Sequence, residues 1–138
     1  FDQWRFYVNG RWSPDLSKAE RLCADMANEY SVSFLPALEK FIVVYSQASS
    51  SRTIAARFAP HPWGPWSRPL DLYQCPEMSQ SEDILCYAAK GHPELSKMPD
   101  ELIVTYVANS TDFYKMAADA SLYRPRFIRV RFQGGGSK

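Results

Sequence analysis

Hydrophobic and polar positions along this chain fall into short blocks, most of them with strand rather than helix period. Trp4 to Val8 is a short aromatic β-type segment, and Asn9-Gly10 after it suits a tight hairpin turn. Arg11-Trp12-Ser13 reads as the return strand. Behind Ser13-Pro14-Asp15 the period changes. From Leu16, the apolar positions Ala19, Leu22, Cys23, Met26 and Ala27 recur at helical spacing and predict a short helix or helical loop. Tyr30 to Phe34 is then a strand ended by Leu35-Pro36. Phe41 to Tyr45 is the strongest strand signal, β-branched and aromatic throughout. The polar run Gln47 to Ser51 is its turn, and Thr53 to Phe58 is the next strand. Pro60, Pro62, Gly64, Pro65 and Pro69 make a rigid loop around Trp63 and Trp66, before a short outer strand from Leu70 to Tyr73.

A second round follows. Ile84 to Ala89 reads as a strand, with His92-Pro93 near the start of its exit loop. Leu102 to Val107 is a strand, Thr111 to Ala120 holds a short helix, and Phe127 to Phe132 is the last strand. In that last strand Arg129 and Arg131 alternate with apolar neighbours, as on a half-exposed outer or edge strand. The two rounds match each other. Tyr30–Pro36 corresponds to Tyr87–Pro93, Leu38–Tyr45 to Pro99–Tyr106, and Thr53–Phe58 to Phe127–Phe132. Repeated antiparallel units of this size are blade-like, so the expected class is an all-β propeller fragment, with a small β-sandwich as the alternative. On this reading residues 1–28 hold outer strands and a short helical segment of a preceding blade. Residues 29–83 and 84–132 are two blade-like repeats, the second being final, and residues 133–138 are a flexible tail or an expression remnant. Two blades leave faces that neighbours must cover, so the remaining blades are expected in another chain or a cleaved segment. The start at Phe1, without Met or a signal-like segment, likewise reads as processing, cleavage or truncation.

Composition narrows the function. Hydrophobic residues make up 46% and aromatics 14%, enough for a core with aromatic surface left for a ligand. A formal charge of +1 gives no electrostatic case for nucleic acid or acidic membranes, and no apolar run is long enough to cross a bilayer. The cysteines Cys23, Cys75 and Cys86 include no CxxC pair, so a zinc or thioredoxin-like site has no support and no metal is expected. Cys75 and Cys86 read equally as a disulfide, implying an oxidising compartment, or as buried free thiols. The odd count also permits a bridge from Cys23 to another part of the molecule. No phosphate cradle, nucleophile elbow or kinase signature is present, and no cofactor is expected.

Glu29-Tyr30-Ser31-Val32-Ser33-Phe34, then Phe41-Ile42-Val43-Val44-Tyr45, Arg57 and Gly64-Pro65-Trp66-Ser67 form a pattern that resembles a five-bladed propeller. It is similar to the DUF4185-type families and, more distantly, to glycoside hydrolase propellers of the arabinanase and levansucrase type. Tyr123 to Val130 then looks like the final blade strand, so the chain would hold the C-terminal blades of such a propeller. The resemblance runs from Glu29 to Phe132 and implies glycan-cleaving carboxylates in a central funnel. It also implies that the first, nucleophilic or water-activating Asp comes from an early blade, of which this chain shows nothing.

Glu29 is the leading candidate for catalysis. It precedes an inner strand, and a glycosidase needs one acid for the leaving oxygen and a second, separated carboxylate. The plainer alternative is a salt-bridging carboxylate. His92 and Glu94 are candidates for binding a sugar hydroxyl, though a lone histidine before proline is often structural. Arg57 and Arg126 suit bidentate contact with an acidic group or ion pairing between blades. Asn109, within Asn109-Ser110-Thr111-Asp112, is either a ligand contact or part of a turn and helix cap. Trp63 and Trp66 either stack on sugars or pack, and Trp4, Tyr7 and Trp12 offer blade packing or an aromatic platform. The function expected is a secreted, carbohydrate-active, glycoside hydrolase-like subunit cleaving a glycan in a shared funnel. The alternatives are a non-catalytic glycan-binding or protein-interaction propeller, or a purely structural subunit.

Overall fold

The structure, a computed structural model, describes residues 2–48 and 51–133. Phe1, Ser49 and Ser50 of the expected turn, and the expected tail from residue 134 onward lie outside the described residues. Among the described residues the chain is all-β, with three antiparallel sheets, one short α-helix and a few 3-10 turns. β1 (Phe6–Val8) and β2 (Arg11–Ser13) form a hairpin across Asn9-Gly10, both of which take positive φ. β3 (Tyr30–Leu35), β4 (Lys40–Ser46), β5 (Thr53–Ala59) and β6 (Leu70–Gln74) form a four-stranded meander. β7 (Ile84–His92), β8 (Glu101–Ser110) and β9 (Pro125–Arg131) form a three-stranded one, with α1 (Phe113–Ala118) between β8 and β9.

Of the short helix or helical loop expected from Leu16 onward, little is helical. Only one 3-10 turn forms, Leu16–Lys18, capped by the Asp15 carboxylate accepting from Ser17 N–H. Asp25 takes positive φ, which a continuing helix does not allow. Leu22, Cys23, Met26 and Ala27 instead border the first sheet as irregular chain, with Met26 packed on Val43, Tyr45 and Ala55. Tertiary packing claimed a pattern that periodicity assigned to a helix. The helix expected within Thr111 to Ala120 is present as α1, its Asp112 carboxylate accepting from Tyr114 and Lys115 N–H. β7 runs three residues past the expected Ala89, because a bulge between Tyr87 and Lys90, with Ala88 at positive φ, lets pairing resume through His92.

The core lies between the two larger sheets. Ile42, Val44, Ile54 and Ala56 of the first sheet pack with Leu102, Val104, Tyr106 and Ala108 of the second. Gly91 packs against both: a Cβ there would lie 3.0 Å from Leu102 Cδ2 and 3.3 Å from Val44 Cγ2. Ser31 Oγ accepts from the Gly91 N–H at 2.7 Å, a polar tie between the first strands of both sheets. The opposite face of the first sheet carries Tyr30, Val32 and Phe34, all exposed, in register with Tyr45, Val43 and Phe41.

Gly64-Pro65-Trp66-Ser67 joins β5 to β6, as expected of an outer-strand connection. Its Ser67 hydroxyl accepts from Phe58 N–H, and Ser67 N–H donates to Phe58 O, so the loop continues the edge of β5. Trp66 packs beside Tyr45, whereas Trp63 stacks on His61 and Tyr7 and meets Trp12 edge-on. That aromatic cluster fastens the β1–β2 hairpin to the proline-rich loop. Cys23, Cys75 and Cys86 are all free thiols, so the disulfide alternative is not the state described. Cys75 is pushed well above its ordinary value by its hydrogen bond with Cys86, and burial acts in the same direction.

Candidate functional site

Residues just before β3 and near the start of β7 border a cleft of about 370 Å³. It is lined by Ala27, Asn28 and Glu29 on one side and by Leu85, Tyr87 and Asn109 on the other. Glu29 is exposed and immediately precedes β3. Leu85 and Asn109 are cross-strand partners on β7 and β8, so sheet register fixes one wall. Asn109 Nδ2 lies 3.5 Å from the Tyr87 hydroxyl, and its Oδ1 accepts from Ser110 N–H at 2.8 Å. The amide is thereby held with its donor end towards Tyr87. A carboxylate, a carboxamide and a phenol ring lining one cleft are suited to hydroxyl groups and the apolar face of a sugar.

Glu29 and Asn109 are therefore brought together, and the other expected residues lie elsewhere. His92 ends β7, with Nδ1 2.8 Å from Glu94 Oε1 and Nε2 2.8 Å from Thr105 Oγ1. Glu94 is held below its ordinary value by backbone hydrogen bonding first and then by His92. The pair forms a small polar group of its own and does not line the Glu29 cleft.

Both arginines hold structure together. Arg57 Nε donates to the Tyr45 hydroxyl at 2.9 Å, and Nη2 donates to Ala24 O at 3.2 Å, tying the irregular segment before β3 onto the sheet. Arg126 Nε lies 2.7 Å from Glu77 Oε1, and Nη2 donates to Ser121 O at 3.0 Å. Glu77 also receives the hydroxyl of Tyr106, which is 3.1 Å from both carboxylate oxygens. Burial foremost, then the Tyr73 hydrogen bond and the Glu77 charge, raises the Tyr106 phenol above its ordinary range. Sequence reasoning missed Glu77, because its partners Tyr106 and Arg126 come from two distant segments.

A second missed group is Asp83. Its carboxylate accepts from Ser81 Oγ, Ser110 Oγ and Lys115 Nζ, the last at 2.9 Å, and these bonds hold it well below the ordinary aspartate range. Ser110 adjoins Asn109, so the Asp83 cluster anchors α1 and the end of β8 beside the cleft. Tyr87, the aromatic wall, was legible only as the repeat partner of Tyr30. Among the described residues, no cluster of His, Cys, Asp and Glu has the make-up of a metal site.

The chain belongs to the family described as Domain of unknown function (DUF5005), whose model matches residues 1–132. No curated protein matches it. Among solved structures it is similar to a "putative hydrolase" from Bacteroides ovatus ATCC 8483, at 22% identity and a TM-score of 0.67. That likeness covers 91% of this chain and 35% of the other, so this chain spans about a third of that protein's length. At this identity the likeness is one of fold.

Proposed function

We propose that this chain supplies two blades of a five-bladed propeller hydrolase acting on a glycan, with Glu29 as the general acid. The single observation that carries the reading is the convergence of Glu29 with Tyr87 and Asn109 on one cleft. A carboxylic acid beside a ring and a carboxamide can bind a sugar and protonate a glycosidic oxygen. The description of the Bacteroides ovatus protein as a hydrolase supports the reaction class, and the substrate class rests on the resemblance to glycan-cleaving propellers read from the sequence.

The repeated strand meander motivates the blade reading, with a small β-sandwich as its alternative. Under the correspondence of Leu38–Tyr45 with Pro99–Tyr106, Ile42 matches Ile103 and Tyr45 matches Tyr106. Ile42 faces the second sheet, but Ile103 faces away from the first; Tyr45 faces away from the second sheet, but Tyr106 faces the first. On this strand equivalent faces point the same way round, as in blades stacked head to tail, whereas Thr53–Phe58 and Phe127–Phe132 turn the equivalent residues Ile54 and Ile128, Ala56 and Val130, and Phe58 and Phe132 to one shared core. A sandwich related by a two-fold axis would bring equivalent faces together. The exposed row Tyr30, Val32 and Phe34 then belongs against a preceding blade, in the same or another chain, and a secreted location fits a polymeric substrate.

Among the described residues lining the cleft, Glu29 is the sole carboxylate. Glycoside hydrolysis takes a pair, so its partner would come from another blade. The same observation favours the second reading, a glycan-binding propeller without hydrolysis. The test is Glu29→Gln in the full-length protein, assayed by release of reducing ends from a polysaccharide panel. Loss of hydrolysis with retained binding is expected of an acid. Unchanged hydrolysis removes Glu29 from the mechanism, and binding without product in the native protein selects the second reading.

A further inference from the structure

The two larger sheets follow the same meander, but the first has four strands and the second has three. β6 covers the outer edge of β5, whereas β9 ends its sheet. Side chains on β9 alternate strictly. Ile128 and Val130 turn into the core, while Phe127, Arg129 and Arg131 stand in one exposed row on the other face. Arg129 and Arg131 both lean on one carboxylate, that of Glu101, at 3.2 and 3.7 Å. Glu101 is 3% exposed, whereas the two guanidinium side chains are 59% and 61% exposed. One buried negative charge therefore faces two exposed positive ones, and the row keeps a surplus positive charge beside a strand edge that no strand among the described residues pairs with.

We propose that β9 is the acceptor edge for a fourth strand, contributed by an extended segment with acidic side chains at alternate positions. Main-chain N–H and C=O groups of an edge strand pair with an added strand without regard to sequence, and the side-chain row sets which strand is accepted. Cross-strand neighbours on one face interact directly, so acidic residues fit beside Arg129 and Arg131, and an apolar one beside Phe127. The occupant is thus identified by charge complementarity and by strand period. This inference concerns an assembly surface and does not depend on the glycan reading.

The test uses the native chain and a fluorescein-labelled nine-residue peptide alternating valine with glutamate, followed by anisotropy. Three controls accompany it: a lysine-for-glutamate peptide, a glutamate peptide N-methylated at alternate backbone nitrogens, and the Arg129→Gln/Arg131→Gln variant. Saturable binding of the glutamate peptide is expected, at least tenfold weaker for each control. The N-methylated peptide keeps the charge but loses strand pairing, so equal binding of it reduces the contact to plain electrostatics and overturns the proposal. Equal binding of the lysine peptide, or no binding up to millimolar peptide, overturns it as well. A dimer by sedimentation that persists in the arginine variant and excludes the peptide would make a second copy the occupant instead. If variant unfolding confuses the result, the two peptide controls on the native chain decide it.

Discussion

The Tyr106 hydroxyl lies 3.1 Å from both carboxylate oxygens of Glu77, whose Oε1 is also 2.7 Å from Arg126 Nε. Glu77 comes from the turn after β6, Tyr106 from the middle strand of the second sheet and Arg126 from its last strand. Three segments distant in sequence are thus tied through one half-buried carboxylate. Tyr106→Phe removes a hydrogen bond to a charged group and is expected to cost about 1.5–3 kcal/mol. The urea midpoint of the variant checks this, and an unchanged midpoint would show that water replaces the phenol without loss.

Gly91→Ala should destabilise the contact between the sheets. The added methyl meets Leu102 at 3.0 Å and Val44 at 3.3 Å, and both neighbours are fully buried and packed. Overpacking of this kind costs roughly 1–3 kcal/mol. Thermal unfolding measured beside Gly10→Ala separates the effects. Nothing lies within 4 Å of a Cβ at Gly10, whose cost would be backbone strain at positive φ alone.

Asp83 gives the chain an acid-sensitive tie. Hydrogen bonds from Ser110 and Ser81, then Lys115, depress its folded-state value below the ordinary 3.8. A depressed carboxylate contributes stability that is fully present above the unfolded value and is lost as pH falls through the folded one. The difference in urea midpoint between the native chain and Asp83→Asn is expected to be constant above about pH 5 and to shrink steadily below the ordinary aspartate value. A difference that stays constant down to pH 2 would remove Asp83 as the cause.

Tyr87→Ala tests the aromatic wall of the cleft apart from the acid. Loss of a stacking face is expected to weaken glycan binding by about 1 kcal/mol, roughly fivefold, while folding stability changes little because the ring is only half-buried. If hydrolysis is present, KM should rise with kcat nearly unchanged, since the ring contributes binding and no proton. Isothermal titration with an oligosaccharide bound by the native protein reads the first effect, and steady-state kinetics the second.

The sequence alone located most strands of both larger sheets, the cap on α1 and the Asn9-Gly10 hairpin. These are local signals, carried by alternation, β-branching and turn chemistry within a few residues, and they survive without knowledge of the fold. Glu29 and Asn109 were legible as candidates for the same reason, each at the end of a strand. Their meeting in one cleft was not legible, because that depends on how β3 lies against β7. The fates of Arg57 and Arg126 were likewise decided by tertiary partners, Tyr45 and Ala24 for one, Glu77 and Ser121 for the other. Packing also turned the helical period after Leu16 into irregular chain, since Met26 gains more by lying on Val43 and Tyr45 than a short isolated helix would return. Strand order and spacing are written along the chain. Which side chains meet across sheets is settled only when two hydrophobic faces close on each other, and that closure made the cleft.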